Sequence, residues 1–211
     1  MQRKGITLTK KIKIMKKILV MVVIAMMSTV GANAQHREGD FSIQPRVGVT
    51  FSTLTNTEDA KMKLNLTYGV EFEHYITDLF SVAGGILFTN QGAKLGDNTF
   101  NNYYGALPLT ANYYVLPGLA LKAGLQPAFR VKTNMKVDGQ TYDFDKVMDY
   151  LFEDTDVKMN KFDLSIPIGL SYEYNRMTLD ARYNFGVTKL FSGSDDTVLN
   201  QVITMTLGYK L

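Results

Sequence analysis

The chain has 211 residues, neither cysteine nor tryptophan, and a formal charge of +3. Its length suits a single domain, and the missing thiols exclude disulfide staples, thiolate metal centres and a lipid-modified cysteine. The positive charge is local: residues 1–34 carry seven Lys and Arg and no acid, leaving 16 basic against 20 acidic residues, a net −4, so the basic pI gives no support to nucleic-acid binding.

The first 34 residues read as a basic region, an apolar run from Ile18 to Val30 and a small-residue site, Ala32-Asn33-Ala34. That order is the order of a secretory signal. The apolar run has 13 residues where a spanning helix needs about 20. The expected organisation is a signal peptide over 1–34, cleaved after Ala34, and one exported domain over 35–211.

Eight alternating stretches follow, expected as strands at 41–52, 63–74, 80–90, 103–114, 119–131, 161–174, 177–188 and 199–211. The first shows the pattern plainly. Phe41, Ile43, Pro45, Val47, Val49 and Phe51 share one face, and Ser42, Gln44, Arg46, Gly48, Thr50 and Ser52 the other. Taken together, the eight apolar faces comprise 49 positions with one polar side chain, Gln201, and no charge; at the chain's 20% charged content roughly ten charges would fall there by chance. A Lys or Arg facing lipid at the midplane costs about 2–4 kcal/mol, whereas a soluble barrel tolerates charge on its outer face. The expected fold is therefore all-β, an eight-stranded antiparallel transmembrane barrel.

Connections alternate between tight (75–79, 115–118, 175–176) and long (53–62, 91–102, 132–160, 189–198). Bacterial outer-membrane barrels have short periplasmic turns and long extracellular loops, so both termini are expected in the periplasm. Aromatic residues are expected at two rims: Phe72, Tyr75, Phe80, Tyr113, Tyr114, Tyr174 and Tyr209 on the turn side, and Phe51, Phe88, Tyr103, Phe129, Phe162 and Phe185 on the loop side. Pro45, Pro108, Pro127 and Pro167 fall inside strands and each removes a ladder donor, which predicts local bulges.

Leu107-Pro108-Leu109 followed by Tyr113-Tyr114, Ile166-Pro167-Ile168-Gly169-Leu170-Ser171-Tyr172, and Leu179 to Thr188 with its Asp180-Ala181-Arg182-Tyr183 core resemble strands of small Bacteroidetes outer-membrane barrels, the PorT-like porin family. The resemblance implies an eight-stranded barrel, usually without an assigned activity, a few relatives assisting protein secretion. Many such barrels end on an aromatic residue; here Tyr209 stands two positions earlier.

The inner faces carry Arg46, Lys122, Arg130, Arg182 and Lys210 against Glu71, Glu73, Asp163, Glu173 and Asp180. Eight strands enclose an interior just wide enough for side chains, so these charges are expected to neutralise one another and fill the lumen, as a structural core or a gated ion path. Arg182 is expected to be held by Asp180, or by Glu173 and Asp163 on the preceding strand. No catalytic residue, cofactor or metal ligand is expected. Only His36 and His74 are present, neither where a hydrolase or acyltransferase would need its base. Phosphate-cradling glycine loops and the Gly-x-Ser-x-Gly elbow are absent.

In the third long loop Phe144, Val147, Met148, Leu151 and Phe152 recur at helical spacing among acids, predicting a short amphipathic helix. It suits folding over the barrel mouth, a partner contact, or a divalent cation bridging to lipopolysaccharide. Asp196-Thr197-Val198 resembles a short O-glycosylation sequon. The expected partners are outer-membrane lipid and lipopolysaccharide, the barrel-assembly machinery during biogenesis, and a surface or secretion partner, with no nucleic acid. A closed, non-enzymatic barrel serving envelope integrity or surface recognition is the leading expectation; a narrow pore and a secretion accessory are its rivals.

Overall fold

The computed structural model describes residues 37–55, 60–95, 98–137, 140–143, 158–192 and 198–211. The segments expected as a signal peptide and as a helix, and most of the expected sequon, lie outside them. Thirteen strands appear: β1 (Phe41–Leu54), β2 (Ala60–Thr77), β3 (Phe80–Gln91), β4 (Ala93–Leu95), β5 (Asn98–Ala106), β6 (Leu109–Leu116), β7 (Leu119–Val137), β8 (Gln140–Asp143), β9 (Lys158–Met159), β10 (Phe162–Tyr174), β11 (Met177–Gly186), β12 (Phe191–Ser192) and β13 (Asn200–Tyr209). All pairings are antiparallel. Eight walls, β1, β2, β3, β5 with β6, β7, β10, β11 and β13, close into a barrel where β13 pairs β1 from Arg46↔Gly208 to Leu54↔Asn200.

The barrel is inside-out relative to a soluble protein. Leu66 is 68% exposed and Val47 60%, while Gln44, Thr67 and Asp180 are fully buried. A continuous apolar outer surface of this extent is stable only in lipid, and a closed ladder leaves no backbone edge to satisfy there. Gln201, the one polar residue on those faces, accepts a 2.6 Å hydrogen bond from Tyr183 Oη.

Tight turns join strands at one end, across 78–79, 117–118 and 175–176. Pro117 presets its φ, and Gly118 (φ 77°) and Asn175 (φ 55°) supply the left-handed backbone these turns need. At the other end β2 and β7 run past the expected 63–74 and 119–131, pairing with β4 and β8. Apolar alternation stops where lipid stops, but backbone pairing does not, so periodicity underestimates these strands.

The proline expectation needs correction. Pro45, Pro127 and Pro167 sit in unshifted register, opposite Val70, Leu164 and Asn184. Pro108 splits the expected 103–114 strand into β5 and β6 without shifting it, since Ala106↔Ala128 and Leu109↔Leu125 keep one register. Its carbonyl still accepts from Gly85 N at 3.0 Å, so one donor is lost and the ladder continues. Register shifts occur at Tyr75/Thr77 and Tyr114/Leu116, beside turns, and at Tyr103/Tyr104, where Val131 is the extra residue.

Tyr75 and Tyr114, expected among the rim aromatics, instead face the lumen and are 2% and 6% exposed. Each shares strand parity with inward polar residues, Glu73 and Asn112, and parity governs direction. On the loop side Tyr68, Phe88, Phe129 and Phe162 lie in one cross-strand row through Gly105. Ring centroids are 5.8 Å apart for Tyr68 and Phe88 and 5.5 Å for Phe129 and Phe162, forming part of an aromatic girdle.

Candidate functional site: the charged lumen

Inward parity delivers Arg46 from β1, Glu71 from β2, Lys122 from β7, and Asp180 and Arg182 from β11 to one buried cluster. Arg46 Nη2 lies 2.8 Å and Lys122 Nζ 3.0 Å from Glu71 Oε1; Lys122 Nζ is 2.9 Å and Arg182 Nε 2.6 Å from the Asp180 carboxylate, with Arg46 Nη1 3.6 Å away. Arg182 Nη2 also bonds Glu71 Oε2. Glu71 therefore receives all three cations. Arg182 takes its acids from its own strand and from across the lumen, whereas Glu173 and Asp163 are engaged elsewhere.

A second cluster lies toward the turn end. Lys210, the residue after β13, pairs with Glu173, lies 3.5 Å from Glu73, and bonds Tyr75 Oη while its ammonium sits 5.1 Å from that ring's centroid. Tyr75 and Tyr114 hydroxyls are 3.0 Å apart. Tyr114 Oη (2.8 Å), Ser81 Oγ (2.6 Å) and Asn112 Nδ2 (2.9 Å) donate to Glu73 Oε1. Gln44 joins the clusters, donating to Glu73 Oε2 at 2.8 Å and accepting from Arg46 Nη2 at 2.8 Å. Three cations with two acids, then one cation with two acids, make an array that is neutral as a whole.

Room for it comes from glycine. Arg46 stands opposite Gly69 and Gly208, Glu71 opposite Gly85, and Lys122 and Arg182 both opposite Gly169. A Cβ on Gly69 would overlap the Ile86 carbonyl, and one on Gly169 the Ala181 carbonyl. Strand and strand approach there too closely for any other residue, leaving the lumen to the long charged side chains.

Of the remaining candidates, Asp163 accepts 2.8 Å bonds from Thr188 Oγ1 and Asn200 Nδ2, and Arg130 donates to Thr133 Oγ1 at 2.6 Å. Both sit in the loop half, apart from the two clusters. Sequence reasoning missed Gln44, Ser81, Asn112, Tyr75 and Tyr114. Their signal was parity with Arg46, Glu73, Thr110 and, for Ser81, Thr89, hidden because neutral residues are not sought as partners in a charge array. Among the described residues no three His, Asp or Glu side chains gather in a way that would hold a metal ion.

No curated protein matches this sequence. The fold is similar to Ail, the attachment invasion locus protein of Yersinia pestis, solved with the heparin analogue sucrose octasulfate: 18% identity, 82% of this chain and 99% of that one, TM-score 0.52. Neisserial surface protein A is similar too, at 12% identity over 86% of this chain and 99% of that one, TM-score 0.52. At these identities the likeness shows a shared barrel fold. The model of the outer membrane protein beta-barrel domain matches residues 33–192, and the chain belongs to that family of the outer membrane.

Proposed function

We propose that the protein is a non-enzymatic outer-membrane barrel with a closed lumen that serves envelope integrity or surface recognition through its loop end. The observation that carries this is the neutral ion-pair array across the turn half of the lumen, where four cations and four carboxylates are buried together. Filling an eight-stranded barrel with side chains leaves no aqueous path. The PorT-like strand motifs support placing it with small Bacteroidetes barrels. The signal peptide directs export and is cleaved after Ala34, insertion uses the barrel-assembly machinery, and the long connections face outward because periplasmic turns are short.

Reconstitution into planar bilayers tests the closed lumen: no discrete conductance steps are expected, and steps of defined size would establish the narrow-pore alternative. Protease added to intact cells should cut within 138–160. Cleavage at the 117–118 turn would invert the orientation. Surface proteins trapped in the periplasm of a deletion strain would favour the secretion accessory instead.

A further inference from the structure

Two adjacent glycines of β3 differ in what requires them. Gly85 faces inward, and a Cβ there would lie 2.5 Å from the Val70 carbonyl oxygen, so the close approach of β2 demands glycine. Gly84 faces lipid, and a Cβ there would first touch the Leu109 side chain at 3.2 Å, with no backbone of another strand nearer than 3.9 Å. Glycine inside a strand weakens it and often marks a place where a ligand comes close. Strand packing does not call for it at Gly84; what it leaves is space.

In register, Gly84 stands between Phe72 and Leu109, and in the neighbouring row Val82 stands between His74 and Ala111. The missing side chain at Gly84 and the short one at Ala111 leave a groove of about 470 Å³ on the outer wall. Its sides are Leu109 and the stacked rings of Phe41 and Phe72, whose centroids are 6.2 Å apart. That volume falls in the range of small-molecule sites, about 300–1,000 Å³. Of the outward side chains along it, only His74 is polar, and it is exposed.

The groove lies near the turn ends of its strands: His74 is three residues before Thr77, Val82 two after Phe80 and Ala111 five before Leu116. At ~3.3 Å per residue and ~45° tilt, these positions are about 5–12 Å from the strand ends, within the turn-side half of an apolar band ~25 Å tall. It therefore opens into the hydrocarbon of one leaflet. The turn 37–40 closes on the same end, Gly39 N donating to Tyr75 O at 2.8 Å and Tyr75 N to Asp40 O at 2.9 Å, which sets the exposed Arg37, Glu38 and Asp40 just beyond His74. Hydrocarbon lining below charges of both signs matches the two parts of a zwitterionic lipid.

We propose that this groove is a site for one zwitterionic phospholipid, an acyl chain lying over Gly84 and Ala111 and the phosphate–ammonium headgroup meeting His74 and the 37–40 turn. Within a membrane, packing rather than exclusion of water drives association. A chain in the groove touches protein on its floor and both sides, whereas a chain against the convex barrel elsewhere touches it on one, so it makes more contacts. The site does not depend on which way the barrel is oriented; with the turns periplasmic, the lipid belongs to the periplasmic leaflet.

The test places the full chain in nanodiscs with a trace of phosphatidylethanolamine carrying a diazirine in one acyl chain. Val82, Leu121 and Leu207 each lie two residues from a turn-side strand end and are 42%, 52% and 50% exposed, but of the three only Val82 lines the groove. Label at Val82 should exceed that at the other two by about fivefold. Gly84→Leu with Ala111→Leu fills the groove and should bring Val82 down to their level, with the barrel's heat-dependent gel shift intact. Ala111→Leu alone, at an exposed position, should lower the label if the double variant does not fold, and Ala181→Leu on β11 should change nothing. Equal label at Val82, Leu121 and Leu207 in wild type means annular lipid only and overturns the proposal, as does undiminished label in a folded, filled variant. Equal label from phosphatidylglycerol bearing the same diazirine overturns the headgroup assignment. A cross-linked dimer that disappears when the groove is filled would assign the groove to a second copy and overturn the lipid.

Discussion

The two halves of the lumen are built on different chemistry. Toward the turns, carboxylates and cations are packed together and joined by Gln44, Tyr75 and Tyr114. Toward the loops, the buried side chains are mostly amides and hydroxyls; unpartnered atoms occur in both halves, Thr89 Oγ1, Gln91 Oε1 and Asn102 Nδ2 toward the loops and Arg46 Nε, Arg182 Nη1 and Thr178 Oγ1 toward the turns. Ion pairs hold only where desolvation is repaid by several partners at once. Neutral amides forgive a missing partner, because water entering from the loop end can replace it at small cost. Removing one partner is therefore expected to cost more in the turn half than in the loop half.

The largest effect should come from Glu71→Ala, which removes the shared acceptor of Arg46, Lys122 and Arg182 and strands three cations beside Asp180. Stability should fall by about 3–5 kcal/mol, read as a lower urea midpoint for loss of the heat-modifiable band, or as failure to refold. A wild-type midpoint would mean that the cluster is hydrated and would erase the contrast. Arg182→Ala should cost about 3 kcal/mol, the lower end of that range, because Lys122 and Arg46 still neutralise both acids. Its outward neighbour provides the control: Tyr183→Phe loses only the bond to Gln201 and should cost about 1 kcal/mol or less.

Gly69→Ala should destabilise by about 1–3 kcal/mol, since the added methyl meets the Ile86 backbone. Gly105→Ala, where a Cβ meets nothing within 4 Å, should be close to neutral in the same urea titration. The smallest effect belongs to the loop half. Asn200→Ala leaves Asp163 with Thr188 as its remaining side-chain partner and should cost about 1 kcal/mol. A cost approaching that of Glu71→Ala would show that the loop half is as dry as the turn half.

Much of this was legible in residue order. Period-two alternation without charge on one face requires a closed sheet in lipid, because no other arrangement of such strands satisfies both the backbone and the outer surface. Parity likewise named the inward charges, Arg46, Glu71, Lys122 and Arg182 among them. The tertiary structure decided what alternation cannot carry. Register across non-adjacent strands set Glu71 beside Arg182, 111 positions apart in sequence, and set glycines opposite the long side chains. Prolines proved harmless because a carbonyl keeps its bond when the donor is lost, so composition overstated their effect. The strands outlasted their apolar pattern because pairing depends on backbone hydrogen bonds and the pattern on lipid, and the two end at different heights.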